Sequence, residues 1–136
     1  MIAVLDTNVL VSGLMVDNHA PGYLLKLIRF RRLTLAIDYR VWDEYCAVLA
    51  RAKFLKYFSV GDKDNILTHI KNHSQWVTCG VTVSGLPDPK DACFLEMALQ
   101  TNAPLVTGNL KHFPAKLHRG ARVFTPADFL KEFFRG

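Results

Sequence analysis

The chain opens with five consecutive apolar residues, Met1-Ile2-Ala3-Val4-Leu5, and breaks at the polar triplet Asp6-Thr7-Asn8. An unbroken apolar run of this length predicts a parallel strand covered on both faces. Pro21 then starts a helical pattern to about Arg32, with Leu24, Leu25, Leu27 and Ile28 inward and Lys26, Arg29, Arg31 and Arg32 outward. Leu33 to Ile37 reads as a second strand. Asp38 is placed to cap a helix from Tyr39 to about Ala52, whose stripe comprises Val41, Tyr45, Val48, Leu49 and Ala52.

Gly61-Asp62 interrupts the chain before a weaker helix to about His73, and Gln75 to Cys79 predicts a short edge strand. Asp88-Pro89 starts a helix to about Asn102. Pro104 to Thr107 and Arg122 to Phe124 predict two more strands, and Pro126 opens a terminal helix. Alternating strands and helices imply an α/β fold with an open, mostly parallel sheet and right-handed crossovers. No repeat or linker divides the chain, so residues 1–136 are read as a single domain.

Composition narrows the class. With 136 residues, half of them apolar and 21% charged, the chain can bury a core without disulfides or structural metal. Cys46, Cys79 and Cys93 lack CxxC spacing and sit among apolar neighbours, as buried thiols do in a reducing compartment. No run approaches the roughly 20 apolar residues of a membrane span, and no signal pattern precedes the first strand. The expected compartment is therefore the cytoplasm, with no membrane partner. Seventeen lysines and arginines against twelve acids give a net charge of +5, which permits a polyanionic partner. GxSxG, GxGxxG and P-loop motifs are absent, which removes α/β-hydrolases, dinucleotide enzymes and kinase-like NTPases.

Ligands of open α/β sheets bind beyond the carboxyl ends of the strands. Asp6, Thr7 and Asn8 follow the first strand directly, and Thr107-Gly108-Asn109 follows Leu105-Val106. In the helix after Asp88, the stripe of Phe94, Leu95, Ala98 and Leu99 centres on the direction of Asp91, while Glu96 and Gln100 point the opposite way, to the surface. Glu44 borders the stripe of its own helix and Asp43 points outward. Competing structural roles exist: Asp88 and Asp91 fit a capping box, and Glu44 fits a snorkelling surface residue. Three acids from three elements, without basic partners in their own turns, nevertheless call for a counter-cation.

An oxygen-only ligand set favours Mg²⁺ or Mn²⁺ over Zn²⁺, and such a metal serves phosphodiester hydrolysis. His69 and His73, spaced i and i+4, are read as surface. Trp42, Tyr45, Phe94, Phe129, Phe133 and Phe134 are read as core. Basic residues including Arg51, Lys53 and Lys56 are read as solvated faces, from which any subset near the cleft could hold phosphates.

Val4-Leu5-Asp6-Thr7-Asn8-Val9-Leu10, Glu44 within Trp42-Asp43-Glu44-Tyr45, Asp88-Pro89-Lys90-Asp91 before Phe94-Leu95-Glu96-Met97-Ala98, and Leu105-Val106-Thr107-Gly108-Asn109 occur in this order. In these segments the chain resembles the PIN-domain ribonucleases, particularly the small prokaryotic toxins of toxin–antitoxin modules. The resemblance covers nearly the whole chain. It implies a three-layer α/β/α sandwich around a sheet of four to five strands, and metal-dependent cleavage of RNA. Asp6, Glu44 and Asp91 would be the catalytic metal ligands, supported by Thr7, Asn8, Asp88, Thr107 and Asn109. A homodimer and a cognate antitoxin are the implied protein partners.

One departure matters. Many relatives carry a further aspartate after the fourth strand, where this chain has Asn109 and, slightly beyond, His112. The lost charge weakens the case for a second metal, unless Asp88 substitutes. Two alternatives follow: a PIN-like domain that binds RNA or protein without cutting, and a phosphatase-like hydrolase with Asp6 as nucleophile. Asn8 stands where the latter would need a second acid.

Overall fold

Five short parallel strands form the central sheet of the computed structural model, which describes residues 1–134, in the order β3-β2-β1-β4-β5. The strands are β1 (Ile2–Leu5), β2 (Thr34–Ile37), β3 (Gln75–Trp76), β4 (Leu105–Val106) and β5 (Val123–Phe124). Ala3, Val4, Leu5, Leu35, Ala36, Ile37, Leu105 and Val106 are all buried, as the continuous apolar runs of a sheet covered on both faces require. The result is the expected α/β sandwich, with every strand pair parallel. The three later strands are each two residues long, shorter than the sequence pattern suggests.

Six helices accompany the sheet: α1 (Thr7–Met15), α2 (Ala20–Arg29), α3 (Tyr39–Leu49), α4 (Val60–His73), α5 (Ala92–Thr101) and α6 (Pro126–Phe133). Helix α5 packs on β1, β2 and β4, α4 packs on β2 and α3, and α6 packs on β5 and α2. Among the described residues no helix is long and apolar enough to cross a membrane. Asp38 caps α3 as expected, its Oδ1 accepting from the Val41 amide at 3.0 Å. Helix α4 starts earlier than Gly61-Asp62 suggests, because Ser59 supplies its cap through a 3.0 Å bond from the Asp62 amide.

Helix α1 is not foreseen, since the sequence pattern assigns no element between Asn8 and Pro21. A nine-residue helix starts at Thr7, and Gly13 in its second half is a packing device. A Cβ at Gly13 would lie 2.7 Å from Leu25 Cγ and 2.8 Å from the Pro21 carbonyl, so α1 and α2 approach closely only because that atom is missing. Glu96 is a second correction, whereas Gln100 is exposed as expected. Glu96 is buried, ion-paired to Arg40 and accepting from the Val83 amide at 2.7 Å; Gln100 accepts from the Gly80 amide at 2.9 Å. Helical periodicity gave Glu96 a solvent face, but the connection from β3 to α5 runs over it and its amides need acceptors.

Cys93 is buried, whereas Cys46 and Cys79 are only half-buried; all three are free thiols. Tyr45, Phe94 and Phe129 lie in the core, with Trp42, Phe133 and Phe134 packed partly buried against it. His69 is tied to the Ile28 carbonyl at 2.9 Å, so it holds α4 to the end of α2 in addition to meeting solvent.

In an open helix, replacing glycine by alanine gains up to about 1 kcal/mol. At Gly13 the clash with a backbone carbonyl reverses the sign, and Gly13→Ala should destabilise the protein by about 1–3 kcal/mol. A lower urea midpoint at unchanged slope is the expected result; a raised midpoint contradicts the close packing of α1 on α2.

Candidate metal centre

Asp6 stands where β1 ends, next to the point at which the strand order reverses, so that β2 lies on one side of β1 and β4 on the other. Its amide bonds the Val106 carbonyl at 2.9 Å, which fixes the residue to both strands. Although Asp6 occupies the N-cap position of α1, its side chain makes no capping bond. Its Oδ2 instead accepts from Thr107 Oγ1 at 2.8 Å and from Asn8 Nδ2 at 3.2 Å. The carboxylate is thereby held at the rim of the sheet with only 4% of the residue exposed.

Glu44 arrives from α3. The next residue, Tyr45, is fully buried and donates its hydroxyl to the Leu5 carbonyl at 2.6 Å, tying α3 to the last residue of β1. Asp91 arrives from the other side, and here the capping alternative is resolved. Asp88 caps the 3₁₀ turn Pro89–Asp91, its Oδ1 accepting from the Lys90 amide at 3.0 Å, while the Asp91 side chain caps nothing. The single helix expected from Asp88 to Asn102 is thus a 3₁₀ turn followed by α5, and the break sits at Asp91. Asn102 ends α5 in the left-handed region, at φ 53°.

The expected acids share one open cleft of about 430 Å³, whose lining includes Asp6, Glu44, Asp88 and Asp91 with Thr7, Asn8 and His112. Among the described residues, none of the four acids is ion-paired to lysine or arginine. Asp91 Oδ2 is buried without a hydrogen bond; His112 Nδ1 lies 3.1 Å away, within ion-pair distance but misaligned for hydrogen bonding. The Thr7 hydroxyl is likewise buried and unpartnered.

Electrostatics register the crowding. Desolvation, then the charge of Asp6, pushes the Asp91 carboxyl up from 3.8 to about 6; Asp88 and Glu44 add to the rise and His112 opposes it. Burial also raises the Asp6 carboxyl, against the pull of the Thr107 hydroxyl, the Asn8 and Thr7 amides and His112. Carboxylates that repel one another through a shared space, one with an orphaned oxygen, suit a hard divalent cation with oxygen ligands. The acids line the cleft rather than close around a point: among the described residues, no three His, Cys, Asp or Glu side chains form a ready metal cage.

Two supporting residues take more indirect places. Thr107 is buried and acts through Asp6. Asn109 is one step further out, its amide donating to Thr107 Oγ1 at 3.1 Å and its Oδ1 accepting from the Lys111 amide at 3.3 Å, so its oxygen is committed to a turn. Ser12, Arg51, Phe54 and Lys90 also line the cleft. Ser12 was hidden because α1 was not predicted. The i, i+4, i+7 spacing of Glu44, Val48 and Arg51 was the signal that could have placed Arg51.

The raised carboxyl of Asp91 sets a pH dependence. The folded chain holds this proton more tightly than the unfolded chain does, so its contribution to stability falls as pH rises from 3.8 through about 6. Metal-free protein should therefore lose melting temperature across that interval, and Asp91→Asn should flatten the loss and melt higher near neutrality. Thermal melts in EDTA across the interval check this; an Asp91→Asn protein that melts lower near neutrality would contradict the repulsion.

The family model described as PIN domain matches residues 3–111. Among solved structures, VapBC2 from Rickettsia felis, bound to a DNA fragment from their promoter, aligns with a TM-score of 0.55 at 19% identity. That alignment covers 90% of this chain and 97% of the other, and it speaks to the fold alone. No curated protein matches the chain. With the family model spanning most of its length, the chain belongs to the PIN-domain family.

Proposed function

We propose that the protein is a metal-dependent endoribonuclease and the toxin of a toxin–antitoxin pair. The observation that carries this reading is the buried Asp91 oxygen, without a hydrogen bond and beside only His112, repelled by Asp6, Asp88 and Glu44 across one cleft. Domains of this family are generally nucleases, and the R. felis structure is of a toxin–antitoxin complex. Asp6, Glu44 and Asp91 would hold Mg²⁺ or Mn²⁺. When bound, such an ion lowers the pKa of water and neutralises charge developing on a phosphoryl oxygen.

The chain's own residues supply position and polarity. Thr107 and Asn8 both donate to Oδ2 of Asp6 and so fix the orientation of its carboxylate. Tyr45 sets the depth of α3 and with it Glu44. His112, beside Asp91, is placed to carry a proton at the rim of the site. RNA as substrate, a cognate antitoxin, a homodimer and a cytoplasmic setting belong to the same proposal.

A second reading, a PIN-like domain that binds RNA or protein without cutting, draws on the site's altered fourth position. The oxygen of Asn109 is committed to a turn and His112 stands beside Asp91, so no additional acid is supplied there. The phosphatase-like reading is weaker, because Asn8 donates to Asp6 where that chemistry needs a second acid.

Incubation of labelled RNAs with the protein in Mg²⁺ or Mn²⁺ tests the proposal. Cleavage should stop in EDTA and in Asp6→Asn, and Thr107→Val, which removes the donor to Asp6, should slow it roughly 10–100-fold. Metal-dependent cleavage that survives in Asp6→Asn would overturn the assignment. Binding without cleavage by the unaltered protein would support the second reading.

A further inference from the structure

Between Tyr45 and Gly61 the chain contains no acidic residue, yet it carries Arg51, Lys53 and Lys56 interleaved with Phe54 and Tyr57. Helix α3 ends at Leu49, and a 3₁₀ turn at Ala52–Phe54 lifts this segment beside the cleft. Arg51 and Phe54 line the cleft itself, together with Glu44 and Val48 from the same face of α3. Arg51 lies two residues past the end of α3, where its extended backbone leads into the 3₁₀ turn.

Arg51 shares this space with Asp6, Glu44, Asp88 and Asp91. Among the described residues, however, its guanidinium makes no ion pair and no hydrogen bond. Beyond it, Lys53 Nζ lies 5.2 Å from the centre of the Phe54 ring and Lys56 Nζ lies 5.2 Å from that of Tyr57. Phe54 is anchored by stacking at 5.7 Å on the buried Phe58, while Tyr57 is 49% exposed. Cations without an acidic partner among the described residues, beside the exposed Tyr57 ring and the half-buried Phe54 ring, are what a single strand engages through its phosphates and an unstacked base.

We propose that the segment from Arg51 to Tyr57 is the track along which single-stranded RNA approaches the acidic cleft. This rests on the nuclease reading for its substrate. The track offsets the repulsion that four carboxylates exert on a polyanion, and Arg51 hands the strand to the site. Because the rings reach only unpaired bases, the track favours single strands over duplex.

The test is the salt dependence of binding, measured in the cleavage-blocked Asp6→Asn protein at fixed Mg²⁺ with a fluorescent single-stranded RNA of about twelve nucleotides. Adding Arg51→Ala, Lys53→Ala and Lys56→Ala should reduce the slope of log K against log salt by about 2, at roughly 0.7 per phosphate contact. The same charge loss at Lys26, Arg29 and Arg32 should leave the slope unchanged, and Lys53→Arg with Lys56→Arg should preserve it. An unchanged slope in the track variant, or an equal drop in the control, overturns the track. Cleavage by the unaltered protein is scored separately: a lost slope without cleavage defeats only the nuclease reading, and cleavage with an unchanged slope defeats only the track.

Discussion

The site depends on electrostatic repulsion that the fold relieves, among the described residues, with no lysine or arginine and only with His112 at its edge. Asp6, Glu44, Asp88 and Asp91 line one cleft without lysine or arginine partners among the described residues, and Asp91 keeps an oxygen buried without a hydrogen bond. A carboxylate in this position keeps its proton to higher pH than usual, and a bound cation relieves the repulsion once the proton is lost. The chain carries a net +5 and could have supplied a pairing arginine. Arg40 shows the difference: it is paired to Asp38 and Glu96, two buried acids that serve architecture.

What holds the acids against their repulsion is backbone and buried polar contact. Asp6 is fixed by the pairing of β1 with β4 and by the Thr107 hydroxyl. Glu44 is carried by a helix tied through Tyr45 to the Leu5 carbonyl, in a ring packing that also includes Phe94 of α5 at 6.4 Å. Asp91 sits at the break between a 3₁₀ turn and α5, freed from capping because Asp88 performs it. One core cluster thus joins the three elements, and the acids cannot separate without disrupting it.

Much of this was legible in the sequence because the signals were local. The apolar run ending at Asp6 marked a buried strand and its carboxyl end, and the inward direction of Asp91 followed from the spacing of Phe94, Leu95 and Ala98. What escaped depended on distant parts of the chain. Helix α1 was hidden because Thr7 and Asn8 look like loop residues and Gly13 looks like a breaker, whereas Gly13 is required by Leu25 and Pro21. Glu96 looked like surface because the connection that covers it leaves no periodic mark. The resemblance to PIN-domain ribonucleases placed the acids in common company, but the cations beside them became visible only once α3 was built to its end.

If Asp6, Glu44 and Asp91 together hold a divalent cation, as proposed, the ion should be visible directly. Anomalous diffraction from a crystal soaked in Mn²⁺ tests that proposal most directly. The account predicts one peak at direct ligand distance, about 2.1 Å, from carboxylate oxygens of both Asp6 and Asp91, with Glu44 turned toward it. A cleft without anomalous density, with Asp91 still resting on His112, would contradict it.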